Sequence, residues 1–142
     1  MKEEKTVFYP YSSWLKQRYG EKVYKLPVNL PVSCPNRCDG HGGCTFCSEK
    51  GTGFESVRQS ASVTEQMQHA RDIVAKRYKA RKFIAYFQNY TNTFMAMELF
   101  KAYLEEAATF PDVVEISIST RPDCIRTDYL ACLAELQERT HI

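Results

Sequence analysis

The sequence predicts an α/β protein built on a parallel sheet, and three observations lead to that prediction. Strand-like and helix-like segments alternate along the chain from residue 23 onward. The two later strand-like segments, residues 83–87 and 113–118, are largely apolar, which is typical of strands covered on both faces. Each of them is followed by apolar residues at helical spacing. Right-handed crossovers between parallel strands account for this order.

The N-terminal part of the chain predicts one helix and one strand. Residues 1–22 are a helical lead-in, in which Ser12 or Ser13 can provide the N-cap and Gly20 can end the helix. Residues 23–32 follow as a strand in which alternate residues are apolar, namely Leu26, Val28, Leu30 and Val32. Two prolines in this strand each remove a donor from the hydrogen-bond ladder, which argues against pairing at those positions.

Three helices are predicted after residue 60. The first begins at a capping box formed by Ser62 and Glu65. The second is capped by residues 91–93 and places Phe94 in its buried stripe, and the third starts near Thr127. In the third helix three leucines are predicted to face inward, namely Leu130, Leu133 and Leu136. Residues 23–142 therefore form one partial domain whose sheet has at least one bare edge, too few units for a closed barrel.

Composition excludes several classes of function. The chain has 19 basic and 17 acidic residues and a net charge of only +2, which argues against an electrostatic DNA-binding protein. No segment approaches the roughly 20 apolar residues of a membrane span. The N-terminus lacks the apolar run of a signal peptide, so we expect a cytoplasmic protein without a membrane partner.

The most informative segment is the predicted loop at residues 34–60. It contains four of the six cysteines, namely Cys34, Cys38, Cys44 and Cys47, and five of the six glycines. Because a reducing cytosol disfavours disulfides, clustered thiols there indicate metal or redox chemistry. Thiolates suit zinc, copper(I) or an iron–sulfur cluster. The loop follows the first strand, and parallel sheets place ligand sites beyond the carboxyl ends of their strands.

This loop resembles that of a known enzyme family. The motifs Cys-Pro-Asn-Arg from residue 34 and Gly-Gly-Cys-Thr-Phe-Cys-Ser from residue 42 resemble the cluster loop of an uncharacterised bacterial family of radical S-adenosylmethionine enzymes. That family is related to the catalytic subunit of Elongator and to oxygen-independent coproporphyrinogen oxidase. The resemblance continues at residues 25–29, 87–93 and 120–124. It covers roughly residues 12–139, which correspond to the N-terminal half of a typical member.

The resemblance implies a [4Fe–4S] cluster bound by Cys34, Cys44 and Cys47, with one iron left open for S-adenosylmethionine. It implies reductive cleavage of that cofactor to a 5′-deoxyadenosyl radical, with Phe46 near the adenine. The residues implied at the amino acid end of the cofactor are those from Gln88 to Thr93, including Asn92, and Arg121 is implied to pair with its carboxylate. The implied fold is the first three units of a partial (βα)6 barrel. The implied partners are a reductant such as flavodoxin or ferredoxin and a substrate that is either a small molecule or RNA.

Three alternatives stay open. Cys38 departs from the family pattern, so it can replace Cys34, be a bystander thiol, or complete a fully cysteine-ligated cluster that only transfers electrons. Alternatively, the four cysteines, or three of them with His41, hold a structural zinc in a module that contacts RNA or protein. The third alternative is that the chain is a truncated and inactive fragment, for which dimerisation through the bare edge of the sheet would compensate.

Overall fold

The structure is a computed structural model that describes residues 7–32, 34–35 and 61–142. Its elements, in chain order, are α1 (Tyr11–Tyr19), β1 (Val23–Val28), α2 (Val63–Tyr78), β2 (Lys82–Phe87), α3 (Met97–Ala108), β3 (Val113–Ile118), a short 3-10 helix (Pro122–Cys124) and α4 (Thr127–Thr140). The three strands pair in parallel in the order β1-β2-β3. The predicted α/β class and the parallel sheet are therefore confirmed.

The first strand is shorter than the sequence predicts. It ends at Val28, because the chain then turns and the amide of Val32 donates to the carbonyl of Leu30. Leu30 nevertheless stays buried in the core. Pro27 is tolerated because β1 pairs with β2 on one side: the carbonyl of Val28 accepts from the amide of Gln88, so the backbone of Pro27 faces the other edge.

The main core lies between one face of the sheet and helices α2, α3 and α4. Its fully buried members include Leu26 and Val28 from β1, Phe83 and Phe87 from β2, and Phe100 from α3. The central strand β2 is covered on both faces over most of its length, as its continuous apolar run predicts.

Helix α1 lies across the opposite face of the sheet. Lys25, Ile84 and Glu115 are in register across the three strands on that face. The hydroxyl groups of Tyr11 and Tyr19 each donate to a carboxylate oxygen of Glu115 at 3.0 Å. These contacts attach α1 to β3, and the buried position of Ile84 follows from this cover.

The helix caps agree with the sequence in part. Gly20 ends α1 with a φ of 77°, a left-handed conformation that glycine adopts without strain. The predicted serine N-caps are wrong: α1 begins after Pro10, without a side-chain cap. In α2 the capping box is confirmed, because the hydroxyl of Ser62 accepts from the amide of Glu65 at 3.1 Å and the Glu65 carboxylate accepts from the amide of Ser62 at 2.8 Å.

Two predictions for the later helices are wrong. Residues 91–93 do not cap α3, which begins at Met97, and Phe94 is 44% exposed. Helix α4 begins at Thr127 as predicted, but Leu130 is 53% exposed. The reason is that α4 packs on α3 through Tyr129, whose ring centroid lies 4.8 Å from that of Phe100, and this contact turns Leu130 outward. Among the helices in the described ranges, none combines the length and the apolar composition that a membrane span requires.

Candidate functional site

The buried amide and hydroxyl side chains of the described residues lie together where the strands end. They share a very low exposure and belong to the ends of β1 and β2 and to the first turn of α2; we term them the strand-end layer: Asn29, Gln66, Gln88, Asn89, Thr91, Asn92 and Thr93. Burying such groups is costly unless they form hydrogen bonds. The hydrogen bonds of this layer therefore show which chain segments are held together at this edge of the sheet.

Asn29 is the centre of the first part of the layer. Its backbone amide donates to Oε1 of Gln66 at 2.8 Å, and its backbone carbonyl accepts from Nε2 of Gln66 at 3.0 Å. The side-chain oxygen of Asn29 accepts from Nδ2 of Asn89. These bonds connect the end of β1 to α2 and to the segment that follows β2.

Asn92 and Thr93, two of the predicted cofactor-binding residues, connect the ends of β2 and β3. The side-chain amide nitrogen of Asn92, Nδ2, donates to the backbone carbonyls of Phe87 and Ser119, each at 3.0 Å. The hydroxyl of Thr93 lies 2.6 Å from that of Thr120, and it donates to the carbonyl of Cys124 at 2.7 Å. The Oδ1 atom of Asn92 is buried and accepts no hydrogen bond from any described residue.

Cys34 is the predicted cluster ligand that falls within the described part of the chain. Its sulfur accepts a hydrogen bond from the hydroxyl of Thr91 at 3.2 Å. The Nη1 atom of Arg121 lies 3.9 Å from the same sulfur. Cys34 therefore contacts residues that follow β2 and β3, and both contacts are donors of the kind that stabilise a negatively charged acceptor.

Arg121 is held in place by Asp123. Two hydrogen bonds join them, from Nε at 2.9 Å and from Nη2 at 2.6 Å. This pairing lowers the pKa of Asp123 and, together with the contact to Cys34, raises that of Arg121. The guanidinium therefore stays charged and keeps its second edge toward the sulfur of Cys34.

Cys124 belongs to the same cluster and lines the cleft beside it. Burial raises the pKa of its thiol, and charges on Asp123, Arg121 and Cys34 also act on it. By contrast, Cys132 is a buried thiol in α4.

Of the remaining predicted site residues, one lies in the described part of the chain and the others lie outside it. Gln88 is buried at the end of β2, where its backbone amide donates to Val28. Phe46, Cys44 and Cys47 lie outside the described residues, as does Cys38. Within residues 7–32, 34–35 and 61–142, no group of three or more His, Cys, Asp or Glu side chains is arranged to hold a metal ion.

A cleft opens beside this cluster, between the starts of α3 and α4. Its volume is about 510 Å³, and its lining includes Pro35, Thr93, Asp123 and Cys124. That volume lies within the range of small-molecule sites, which are about 300–1,000 Å³. The cleft combines apolar surface with charged groups, as expected of a site that binds an amphipathic ligand.

Two of the layer's residues, Asn29 and Gln66, were not predicted as functional. A signal for Gln66 exists in the sequence, because it is a polar residue inside the stripe that buries Val63, Met67 and Ala70. A polar side chain at a buried helical position needs a partner, and such positions are candidates for fixed hydrogen bonds. Asn29 carries a weaker signal, since asparagine after a strand is equally common in an exposed turn.

The fold and the site together define an α/β protein with a thiol and a polar layer at the carboxyl ends of a parallel sheet. No protein-family model matches the chain, and no solved structure matches it. Similar sequences are found among curated proteins.

The chain is 40% identical over 131 residues to the uncharacterized protein YtqA of Bacillus subtilis (strain 168), an alignment that covers 90% of this chain and 40% of YtqA. It is 36% identical over 127 residues to the protein YhcC of Escherichia coli (strain K12), covering 88% of this chain and 40% of YhcC. It is 32% identical over 133 residues to the uncharacterized protein MJ0486 of Methanocaldococcus jannaschii, covering 93% and 41% respectively. The chain thus spans about two fifths of the length of these relatives.

Proposed function

We propose that this chain carries the cofactor-binding part of a radical S-adenosylmethionine enzyme. In this proposal Cys34, Cys44 and Cys47 hold a [4Fe–4S] cluster and leave one iron for S-adenosylmethionine. The proposal rests on the position of Cys34, which lies at the carboxyl edge of a parallel sheet beside donors that follow two other strands. Ligands of open α/β sheets bind at this edge.

The described residues fit such a group in two respects. Thr91 and Arg121 present donors to the sulfur of Cys34, and hydrogen bonds to cluster sulfurs are one of the means by which proteins tune these centres. In addition, the cleft beside this cluster is lined by Asp123, whose carboxylate can accept a hydrogen bond from an ammonium group on a ligand.

The cofactor and the chain make separate contributions to the chemistry. A reduced cluster held there would supply the electron for cleaving S-adenosylmethionine to methionine and a 5′-deoxyadenosyl radical, which would abstract hydrogen from a substrate. The role of Arg121 in this proposal is to bind and orient the ligand. Asp123 occupies one edge of its guanidinium and directs Nη1 toward Cys34. The Nη1 side of Arg121 would therefore be the side available to a ligand carboxylate, because Asp123 occupies the other edge. Asn92 and Thr93 keep the ends of β2 and β3 together under that contact.

We further propose that the sheet is the first part of a partial (βα)6 barrel. The parallel pairing of the strands in sequence order supports this proposal. The outer edge of β3 is where the next strand would pair. The substrate, the reductant such as flavodoxin or ferredoxin, and the cytoplasmic location belong to this proposal as well.

Anaerobic loading of the chain with iron and sulfide tests the proposal. The expected product is brown and holds about four irons per chain. Cys44→Ala and Cys47→Ala should lose the cluster, whereas Cys132→Ala, which alters a buried thiol in α4, should keep it. With dithionite and S-adenosylmethionine the loaded protein should release 5′-deoxyadenosine.

The same samples report the alternative outcome. Tight binding of one zinc with no more than one iron, and equal damage from Cys38→Ala and Cys47→Ala, would indicate a structural zinc module instead. A three-thiolate cluster tolerates Cys38→Ala, so the two variants distinguish the two kinds of site.

A further inference from the structure

We propose that Gln66 is a positioning residue for the cofactor site, and this inference rests on the proposed function. Its side chain holds together the two chain segments between which all the proposed cluster ligands lie. One segment is the end of β1 at Asn29, and the other is Ala61, which immediately precedes the capping box of α2.

Three hydrogen bonds define this role. Oε1 of Gln66 accepts from the amide of Asn29 at 2.8 Å, and Nε2 donates to the carbonyls of Asn29 and Ala61, each at 3.0 Å. Gln66 thus pairs with both backbone groups of Asn29 in the way that a neighbouring strand would. The third bond extends this pairing to the backbone on the far side of the cysteine-containing segment.

The surroundings of Gln66 make these bonds hard to replace. The residue is only 2% exposed, and it lies in the same helical stripe as Val63 and Met67, which are fully buried. Water has little access there, so bonds to water do not readily replace the bonds between Gln66 and the backbone of Asn29. An apolar side chain of similar size would fill the space and remove these bonds to Asn29.

The effect of Gln66 is transmitted to the sulfur through described residues. Asn29 also accepts a hydrogen bond from Asn89, which lies two residues before Thr91. Thr91 in turn donates to Cys34. Gln66 therefore determines where β1 ends relative to the segment that contacts the first proposed ligand, although it touches neither the sulfur nor the cleft lining named above.

The test compares Gln66→Met with Gln68→Met. Both changes place a methionine of similar size on α2, but Gln68 is exposed and bonds to Asp72 on the same helix. Two measurements are made on each protein: hydrogen exchange of the Asn29 amide in the cluster-free chain, and the rate at which a chelator removes iron from the loaded chain below its melting temperature. The g-values of the reduced cluster are a third readout, which a general loss of stability would not move.

For Gln66→Met we expect exchange at Asn29 and iron release each to accelerate about tenfold, with altered g-values. Gln68→Met should match the wild-type protein in all three. If Gln66→Met does not fold, Gln66→Ala is measured instead, because the space it leaves can admit water to the backbone groups.

The failures of the two proposals are distinguishable. If the wild-type chain takes up no cluster, the proposed function is wrong and the role of Gln66 falls with it. If the wild-type chain holds the cluster and Gln66→Met loses protection at Asn29 but releases iron at the wild-type rate with unchanged g-values, only the positioning role is wrong.

Discussion

Two regions of this molecule differ in which side chains they bury: one buries polar side chains, and the other leaves apolar side chains exposed. The strand-end layer buries amides and hydroxyls and gives them specific hydrogen-bond partners. On the far side of β3, a cleft of about 670 Å³ between α1, β3 and α4 exposes apolar surface, including Leu130 at 53% and Trp14 at 36%.

This contrast shows where the fold is most exactingly specified. A buried amide is stable only with its partners in place, so the strand-end layer fixes the relative positions of three strand ends. An exposed apolar face does not require specific hydrogen-bond partners, and surfaces of this kind commonly bind another segment or another protein. In the proposed barrel, the face beside β3 is the position of the next strand.

The largest expected effect separates true core from exposed apolar surface. Leu104 in α3 is 1% exposed, so Leu104→Ala should lower the free energy of unfolding by about 2–5 kcal/mol. Leu130→Ala, on the open side of α4, should change it by less than about 0.5 kcal/mol. Urea denaturation measures both. A loss of similar size in the two variants would mean that the face of α4 toward β3 is packed in solution.

A second comparison concerns the strand-end layer. Asn92→Ala removes the amide that bonds to the carbonyls of Phe87 and Ser119, so we expect a loss of about 2–3 kcal/mol. Gln137→Ala, on the exposed side of α4, is the matched control and should be close to neutral. If Asn92→Ala unfolds at the wild-type urea concentration, the amide does not hold the ends of β2 and β3 together.

The smallest expected effect is electrostatic. Arg121 lowers the pKa of Asp123 below its ordinary 3.8, so Arg121→Gln should move the pKa of Asp123 upward. A lowered carboxyl pKa contributes stability above pH 3.8 that is lost as the pH falls through the lowered value, and the variant lacks this contribution.

Carbon-detected NMR titration of the carboxyl groups measures the shift. Asp128 is the internal control, because its own pKa is lowered by Arg126, which the substitution leaves in place. An unchanged titration of Asp123 in the variant would show that the ion pair with Arg121 is not formed in solution.

Much of the fold could be predicted because its signals are local. The apolar run of β2, the capping box of α2 and the glycine at the end of α1 each depend on a few neighbouring residues. The predicted start of α3 was wrong. Thr91, Asn92 and Thr93 are residue types that favour helix N-caps, but here their side chains form hydrogen bonds with distant partners instead.

The site was predictable only in part for the same reason. Cys34 and Arg121 are 87 residues apart in sequence, and the resemblance to a known family, not the spacing, linked them. The bonds of Gln66 to Asn29 span 37 residues and leave no pattern in a single sequence beyond one polar residue in an apolar stripe. Long-range hydrogen bonds of this kind follow from the tertiary fold, which local sequence patterns do not specify.

The most direct test of the central claim is the electron paramagnetic resonance spectrum of the reduced, iron-loaded chain with and without S-adenosylmethionine. If three cysteines hold the cluster and one iron is open, the cofactor should change the g-values of the signal. A cluster signal that the cofactor leaves unchanged would mean that no iron is open to it, and a loaded chain without any cluster signal would contradict the account as a whole.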